Sequence, residues 1–316
     1  MALASPDSVS VIDGQYNYAG RAAAYLIQDG DEAAYVDNVT RFSVPYLIEA
    51  LEGRGLAPEQ VRYLIVTHVH LDHCGGTAEL AKACPDAEII CHPRAARHIV
   101  DPSRLVAGAK GVYGEEEFAR LYGEIEPVEE SRVRSLEDEA SLSLGGRTLH
   151  FTDAPGHAPH HFVLRDSATN SMFAGDAFGV CYRQLQGGTR PYLNFVCAPP
   201  QFDVAAARTT IQRIVDSGVE RVFVTHFGLC TAIGEGAEQL LGALDKFDAL
   251  VDRAAETDLE DSALLEFCSE GALKLMGEEL RERGLDPEDE VTHKWATSEH
   301  KITAQGLATL AQTRRS

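Results

Sequence analysis

The sequence predicts an α/β fold in which two β-rich halves are separated by helices and followed by an appended helical region. Three observations carry that reading. Apolar runs of strand length recur in two sets, one up to Cys91 and one from Ala140 onward. Segments with helical spacing separate them, and from Gly234 the apolar residues keep three- and four-residue spacing throughout. The expected division is an α/β domain over residues 1–235 and a helical C-terminal region over 236–316 packed on it.

The first strands are expected at Ser8–Ile12, Ala22–Gln28 and Glu32–Asp37. The last two flank Asp29-Gly30, and such a turn between apolar runs is a strong hairpin signal. Val44–Glu52 has helical spacing, and Val61–Thr67 is nearly continuous apolar sequence, as a buried strand should be. After Gly75-Gly76 a helix is expected through Leu80 to Ala83, then a strand at Glu88–Cys91 and a helix opening near Pro93. Between Pro102 and Pro127 only Glu115–Tyr122 reads as helix. The second set of strands is Ala140–Leu144, Arg147–Asp153, His161–Arg165 and Ser171–Ala174, followed by an amphipathic helix at Val204–Val215 and a buried strand at Arg221–Thr225. In the tail, Leu240, Leu241, Leu244, Phe247 and Leu250 lie at helical spacing, which suits core packing or a homodimer contact.

Composition narrows the function classes. With 44% hydrophobic and 24% charged residues the chain has the makeup of a globular protein rather than a disordered one. Its formal net charge of -21 is spread along the chain, and a surface of that sign repels nucleic acid and anionic membranes. A small-molecule substrate is therefore the expected partner. Seven scattered cysteines without a C-x-x-C pair point to reduced thiols in the cytoplasm. The opening MALASPDSVSVIDG lacks the basic and apolar segments of a secretory leader, and no apolar run approaches the roughly 18 residues of a membrane span.

The chemistry lies in Thr67-His68-Val69-His70-Leu71-Asp72-His73, where four metal-ligand side chains follow a buried strand. Imidazole and carboxylate suit zinc and non-haem iron. Alternation along an extended strand end puts His68 and His70 on one side; a turn can bring Asp72 and His73 to a second position, and Gly75-Gly76 permits a tight bend into the next helix. Four such groups around one buried loop are hard to sustain without a cation. A metal pair needs further ligands, and candidates follow other strands: His157 in Asp153-Ala154-Pro155-Gly156-His157, Asp176 after Gly175, and His226 at the end of Val222-Phe223-Val224-Thr225-His226.

The order H-x-H-x-D-H, then P-G-H, then G-D, then a late histidine resembles the metallo-β-lactamase superfamily over roughly residues 8–235. The resemblance implies an αββα sandwich with metals at one edge of its two sheets. It implies that His68, His70 and His157 hold one metal, Asp72, His73 and His226 the other, and that Asp176 bridges them. Two divalent ions are expected, zinc first, with iron or manganese as alternatives. Asp37 matches an aspartate that orients a ligand imidazole through its other nitrogen. Between two cations water ionises near neutral pH and attacks a carbonyl or phosphoryl centre, with Asp72 placed to orient it and pass a proton to the leaving group.

The substrate class is less sharply marked. Glyoxalase II-like thioesterases usually carry histidine where this chain has Val69, although thioester hydrolysis stays an alternative. Acyl-homoserine lactonases commonly carry tyrosine at the position of Gly179, with Tyr182 near enough to replace it. Flavodiiron proteins have glutamate in place of His70, and no flavodoxin-like sequence follows. Persulfide dioxygenases share T-H-x-H-x-D-H with a single iron, so oxygen chemistry is a second alternative, against which His226 argues. Ala158-Pro159-His160-His161 departs from T-P-G-H: His161 is kept and expected to support a ligand, while His160 is a candidate to face substrate. The loop Tyr182–Pro200, with Arg183, Arg190, Tyr192, Asn194 and Phe195, suits a lid. Tyr16, Asn17 and Tyr18 would form the opposite wall, with Tyr18 a substrate-binding candidate.

Overall fold

The computed structural model describes residues 7–315; Met1–Pro6, where the leader reading begins, and Ser316, which ends the expected helical region, lie outside the described residues. The chain divides into two compact units that interleave in sequence. The first takes residues up to Asp153, then His160–Gly175 and Val219–Thr231; the second takes Ala154–Pro159, Asp176–Gly218 and the chain from Ala232 onward.

Both sheets belong to the first unit. One contains β1 (Val9–Asp13), β2 (Ala23–Asp29) and β3 (Glu32–Val36) as an antiparallel meander. After the short β4 (Val39–Thr40), strands β5 (Val61–Ile65), β6 (Glu88–Cys91) and β7 (Val133–Ser135) extend it in parallel from β3. The other sheet holds β8 (Ser141–Leu144), β9 (Arg147–Asp153), β10 (Phe162–Asp166), β11 (Ser171–Gly175), β12 (Arg221–Val224) and β13 (Gly228–Cys230). Only its β11–β12 pair is parallel.

The two sheets meet over aromatic rings. Tyr25 packs against Phe173 and Phe223 with centroids 5.3 and 5.1 Å away, and its hydroxyl donates to the Val224 carbonyl. The backbone amide of Ala23 donates to the Thr225 carbonyl at 2.8 Å, stitching β2 to the end of β12. Burial on both faces is why β11, and β5 apart from the exposed Arg62, read as near-continuous runs rather than alternating ones.

Helices α1 (Val44–Gly53), α2 (Leu71–Cys74), α3 (Thr77–Ala83), α4 (Pro93–Val100), α5 (Ser103–Tyr113) and α6 (Glu115–Tyr122) make the crossovers of the first sheet. The first of them starts with Pro45 in its opening turn, buries Val44, Leu47 and Leu51 at helical spacing, and is followed by Gly55 at φ +73°.

In the second unit, α7 (Val204–Asp216) is capped by Asp203, whose carboxylate accepts from the Ala206 amide at 2.9 Å. The tail forms α8 (Ile233–Ala255), α9 (Asp261–Glu282), α10 (Glu290–Ala296) and α11 (His300–Arg315), with α11 packed on both α8 and α9. The expected stripe is present: Leu240, Leu244, Phe247 and Leu250 are buried, while Leu241 is half-buried. Among the described residues no helix is long and apolar enough to cross a membrane.

The structure departs from the expected elements in a few places. Ladder pairing of β5 stops at Ile65, so Val66 and Thr67 already belong to the loop that carries the histidines. The region after Pro102 holds a second helix, α5, that buries no residue fully and includes Gly108 and Gly111. Its weak apolar face and glycines leave no readable periodicity. The strands β4, β7 and β13 are two or three residues long, too short for an alternation to show.

Candidate metal centre

In the first unit, β5 delivers the chain into a loop from Val66 to His70, and the one-turn α2 supplies Asp72 and His73. Close backbone packing requires the glycine pair that follows: a Cβ on Gly75 would lie 2.3 Å from the Leu71 carbonyl oxygen, and one on Gly76 2.7 Å from that of Thr40. The bend therefore comes from close approach to the backbone of Leu71 and Thr40. Asp37, directly after β3, has φ +57° and Val39 φ +60°, a region that a β-branched residue rarely adopts. Strain of this kind collects where a site must be held in place.

Asp37 organises the buried end of this loop. One carboxylate oxygen accepts from the Thr67 amide at 2.8 Å and from its hydroxyl at 2.9 Å. The other lies 3.1 Å from Nδ1 of His73 and accepts from the Thr225 hydroxyl at 2.9 Å. Thr67 Oγ1 is in turn 3.2 Å from Nδ1 of His68, so one carboxylate orients His73 directly and His68 through a hydroxyl.

The far nitrogens of these rings turn toward ligand atoms. Nε2 of His68 is 3.0 Å from Nδ1 of His70. His226 has Nδ1 held by the Arg21 carbonyl at 2.6 Å and Nε2 at 3.3 Å from Asp72; Nε2 of His73 is 3.9 Å from the same carboxylate. Asp72, His73 and His226 each offer a ligand atom within 4.8 Å of the others. His68, His73 and His226 are buried, and each has its Nδ1 fixed by an oxygen, the arrangement by which metal-binding imidazoles are oriented. The donor set fits a divalent metal.

The remaining ligand candidates lie in the second unit. His157 is buried, with Nδ1 3.2 Å from the Val196 carbonyl and Nε2 3.6 Å from Asp176. Its loop is pressed onto α7: Gly156 has φ +131°, and a Cβ there would lie 2.5 Å from the backbone of Ala207. Thr210 fixes the preceding Pro155 carbonyl at 2.6 Å. Asp176 follows β11 directly, as the sequence places it.

The other expected residues take distinct positions. His161 is fully buried with its ring 4.6 Å from that of His68, and Gly175 leaves room for it, since a Cβ there would fall 2.6 Å from its Nε2. His160 is buried 5.7 Å edge-on from His70 and 6.3 Å from His68. Tyr18 accepts from Arg21 at 3.0 Å. Tyr182 packs on Trp295 at 5.0 Å and donates to Glu299 at 2.9 Å. The Tyr182–Pro200 segment is bound to its own unit, with the Leu193 amide donating to Gln239 and that of Thr189 to the Arg283 carbonyl. Within that segment Arg190 faces Glu235 and Glu238. No motif marks the hydroxyls of Thr67 and Thr225 or the Arg21 and Val196 carbonyls as supports of the ligand rings. Their one readable signal is the repeated Thr-His of Thr67-His68 and Thr225-His226. All seven cysteines are buried free thiols.

Comparison with known proteins adds three kinds of likeness. The pattern of the metallo-beta-lactamase superfamily matches residues 18–226. A coenzyme F420H(2) oxidase of Methanothermobacter thermautotrophicus is 30% identical over 51% of this chain and 36% of its own length. The acyl-coenzyme A thioesterase MBLAC2 of Gallus gallus is 25% identical over 71% of this chain and 77% of its own. A solved metallo-beta-lactamase family protein from Thermus thermophilus has the same fold, with a TM-score of 0.66 and 20% identity over 98% of this chain and 94% of that one. The curated relatives matched first are spanned over less than two thirds of their length, at 63, 62 and 36%.

Proposed function

The chain belongs to the metallo-beta-lactamase superfamily, and from that premise we propose a hydrolase that holds two divalent metals and cleaves a small ester, lactone or phosphoester. The observation that carries the proposal is the oriented set around Asp37, in which His68 and His73 are fixed through Nδ1 while Asp72, His73 and His226 converge. His68, His70 and His157 would hold one metal, Asp72, His73 and His226 the other, with Asp176 shared. Zinc is the expected metal, with iron or manganese as alternatives. When bound, such a pair brings the pKa of water toward neutrality and polarises the carbonyl or phosphoryl oxygen under attack.

The chain's own groups do the rest. Asp72 is partly exposed, at 24% of its side chain, so it can meet substrate. Its carboxylate would take the proton given up by the attacking water and return it to the leaving oxygen. Asp37, Thr67 and the Arg21 carbonyl keep the imidazoles from rotating as that happens. Thioesters join the candidate substrates because the avian thioesterase aligns over 71% of this chain. A second reading is oxygen chemistry on a single iron, and the likeness to a coenzyme F420H(2) oxidase, 30% identical over 51% of this chain, supports it to the extent that this relative is an oxidase.

One set of assays separates these readings. Metal is quantified in protein purified without additions, then hydrolysis of lactone, ester, thioester and phosphoester substrates is compared with persulfide-dependent oxygen uptake. The proposal expects hydrolysis that Asp176→Ala abolishes together with bound metal. Oxygen uptake with one iron and no hydrolysis would replace it with the second reading.

A further inference from the structure

Tyr16, on the β1–β2 connection, and Tyr122, at the end of α6, meet with their hydroxyl oxygens 2.7 Å apart and their rings stacked at 5.9 Å. Both side chains are buried, with 5% and 2% exposure. Two hydroxyls carry two hydrogens, and the contact between them uses one. Among the described residues neither hydroxyl makes another hydrogen bond, so one buried donor is left over. A second hydroxyl hydrogen not used between the two phenols can be given to an acceptor that reaches the pair.

The pair stands beside the ligand set of the first unit. Asp13 gathers the β1–β2 connection by accepting from the Gln15 and Gly20 amides at 3.0 and 2.8 Å, and Ser43 donates to the Gly14 carbonyl at 2.6 Å. At the end of this hydrogen-bonded loop, Arg21 holds His226 through its carbonyl while its guanidinium lies 5.5 Å from the centre of the Tyr16 ring. His226 faces Asp72. Both phenols are held protonated far above the usual range, by burial above all and with the Asp72 carboxylate among the further causes.

We propose that the Tyr16–Tyr122 pair binds substrate, giving its remaining hydroxyl hydrogen to the carbonyl or phosphoryl oxygen of the ester under hydrolysis. The inference rests on the hydrolase reading above. No proton leaves the phenol; the hydrogen bond strengthens as negative charge grows on the substrate oxygen, and it is preorganised because the two rings fix each other. One phenol donates outward and the other accepts from or orients it, so each single Phe replacement weakens the bond to substrate and the double replacement removes it.

The test compares the zinc-loaded full chain with Tyr16→Phe, Tyr122→Phe and the double variant. Turnover is measured on 4-nitrophenyl acetate and the best ester of the panel, and inorganic phosphate is titrated by calorimetry. For the double variant kcat should fall by about 10–100-fold with KM nearly unchanged, and phosphate should bind about tenfold more weakly. Each single variant should fall by a smaller factor, about threefold or more for the outer donor. Thermal stability should be kept, because both partners of a buried hydrogen bond are replaced by rings of the same shape. Turnover and phosphate affinity both within about twofold of the parent in the double variant would overturn the proposal and make the pair a packing contact. Should the double variant fail to fold, single variants both at parental turnover would overturn it. If the parent protein hydrolyses nothing, the hydrolase reading fails separately, and the phosphate titration still decides this one.

Discussion

Asp37 receives four of the hydrogen bonds that set the ligand geometry, from the Thr67 amide and hydroxyl, the Thr225 hydroxyl and the His73 ring. An amide in its place keeps the shape but turns a donor toward groups that are themselves donors. Asp37→Asn should therefore weaken metal binding by about 10–100-fold, read by competition with a chelator, and unchanged affinity would show that the carboxylate only packs. The sequence made Asp37 visible because a family pattern includes an aspartate there. Thr67 and Thr225 were not visible, since a hydroxyl beside a strand end carries no periodicity. Their role rests on the ends of β3 and β5 in one sheet meeting the end of β12 in the other, a three-dimensional relation.

Among the elements, those with strong local signals are legible almost to the residue. Glu88–Cys91, Arg147–Asp153 and Glu115–Tyr122 have the predicted bounds. α5 is not legible because Gly108 and Gly111 dilute its pattern, and β13 because three residues cannot show an alternation. Two glycine substitutions test the packing with opposite signs. A Cβ on Gly306 would fall 1.9 Å from the Cys197 carbonyl oxygen, so Gly306→Ala should cost about 1–3 kcal/mol, seen as a lower Tm. At Gly108 nothing lies within 4 Å of the added carbon, and Gly108→Ala should raise stability by about 0.5–1 kcal/mol through a stiffer unfolded chain and a better helix. The same sign from both would mean that the packing of α11 or α5 is misunderstood.

At the scale of the molecule, charge and thiol chemistry give two further expectations. A formal charge of -21 makes the folded chain repel itself, so monovalent salt should raise the Tm between low and physiological ionic strength as the Debye length falls to about 8 Å. A Tm that falls instead would mean that attractive pairs dominate. Burial pushes the Cys84 and Cys268 thiols up to about 11 and that of Cys91 up to about 12, and all seven cysteines are buried. Since the thiolate is the reactive form, a thiol reagent at pH 8 should leave the native protein essentially unmodified and label all seven cysteines only after unfolding. Rapid labelling of the native chain would contradict the burial.

The central claim is the proposed metal-dependent hydrolysis, and a metal titration tests it most directly. Protein stripped by chelation is given zinc in steps while ester or phosphoester hydrolysis is followed. Activity should be absent at the start and rise to a plateau at about two metals per chain. Full hydrolysis by the metal-free protein would contradict the central claim.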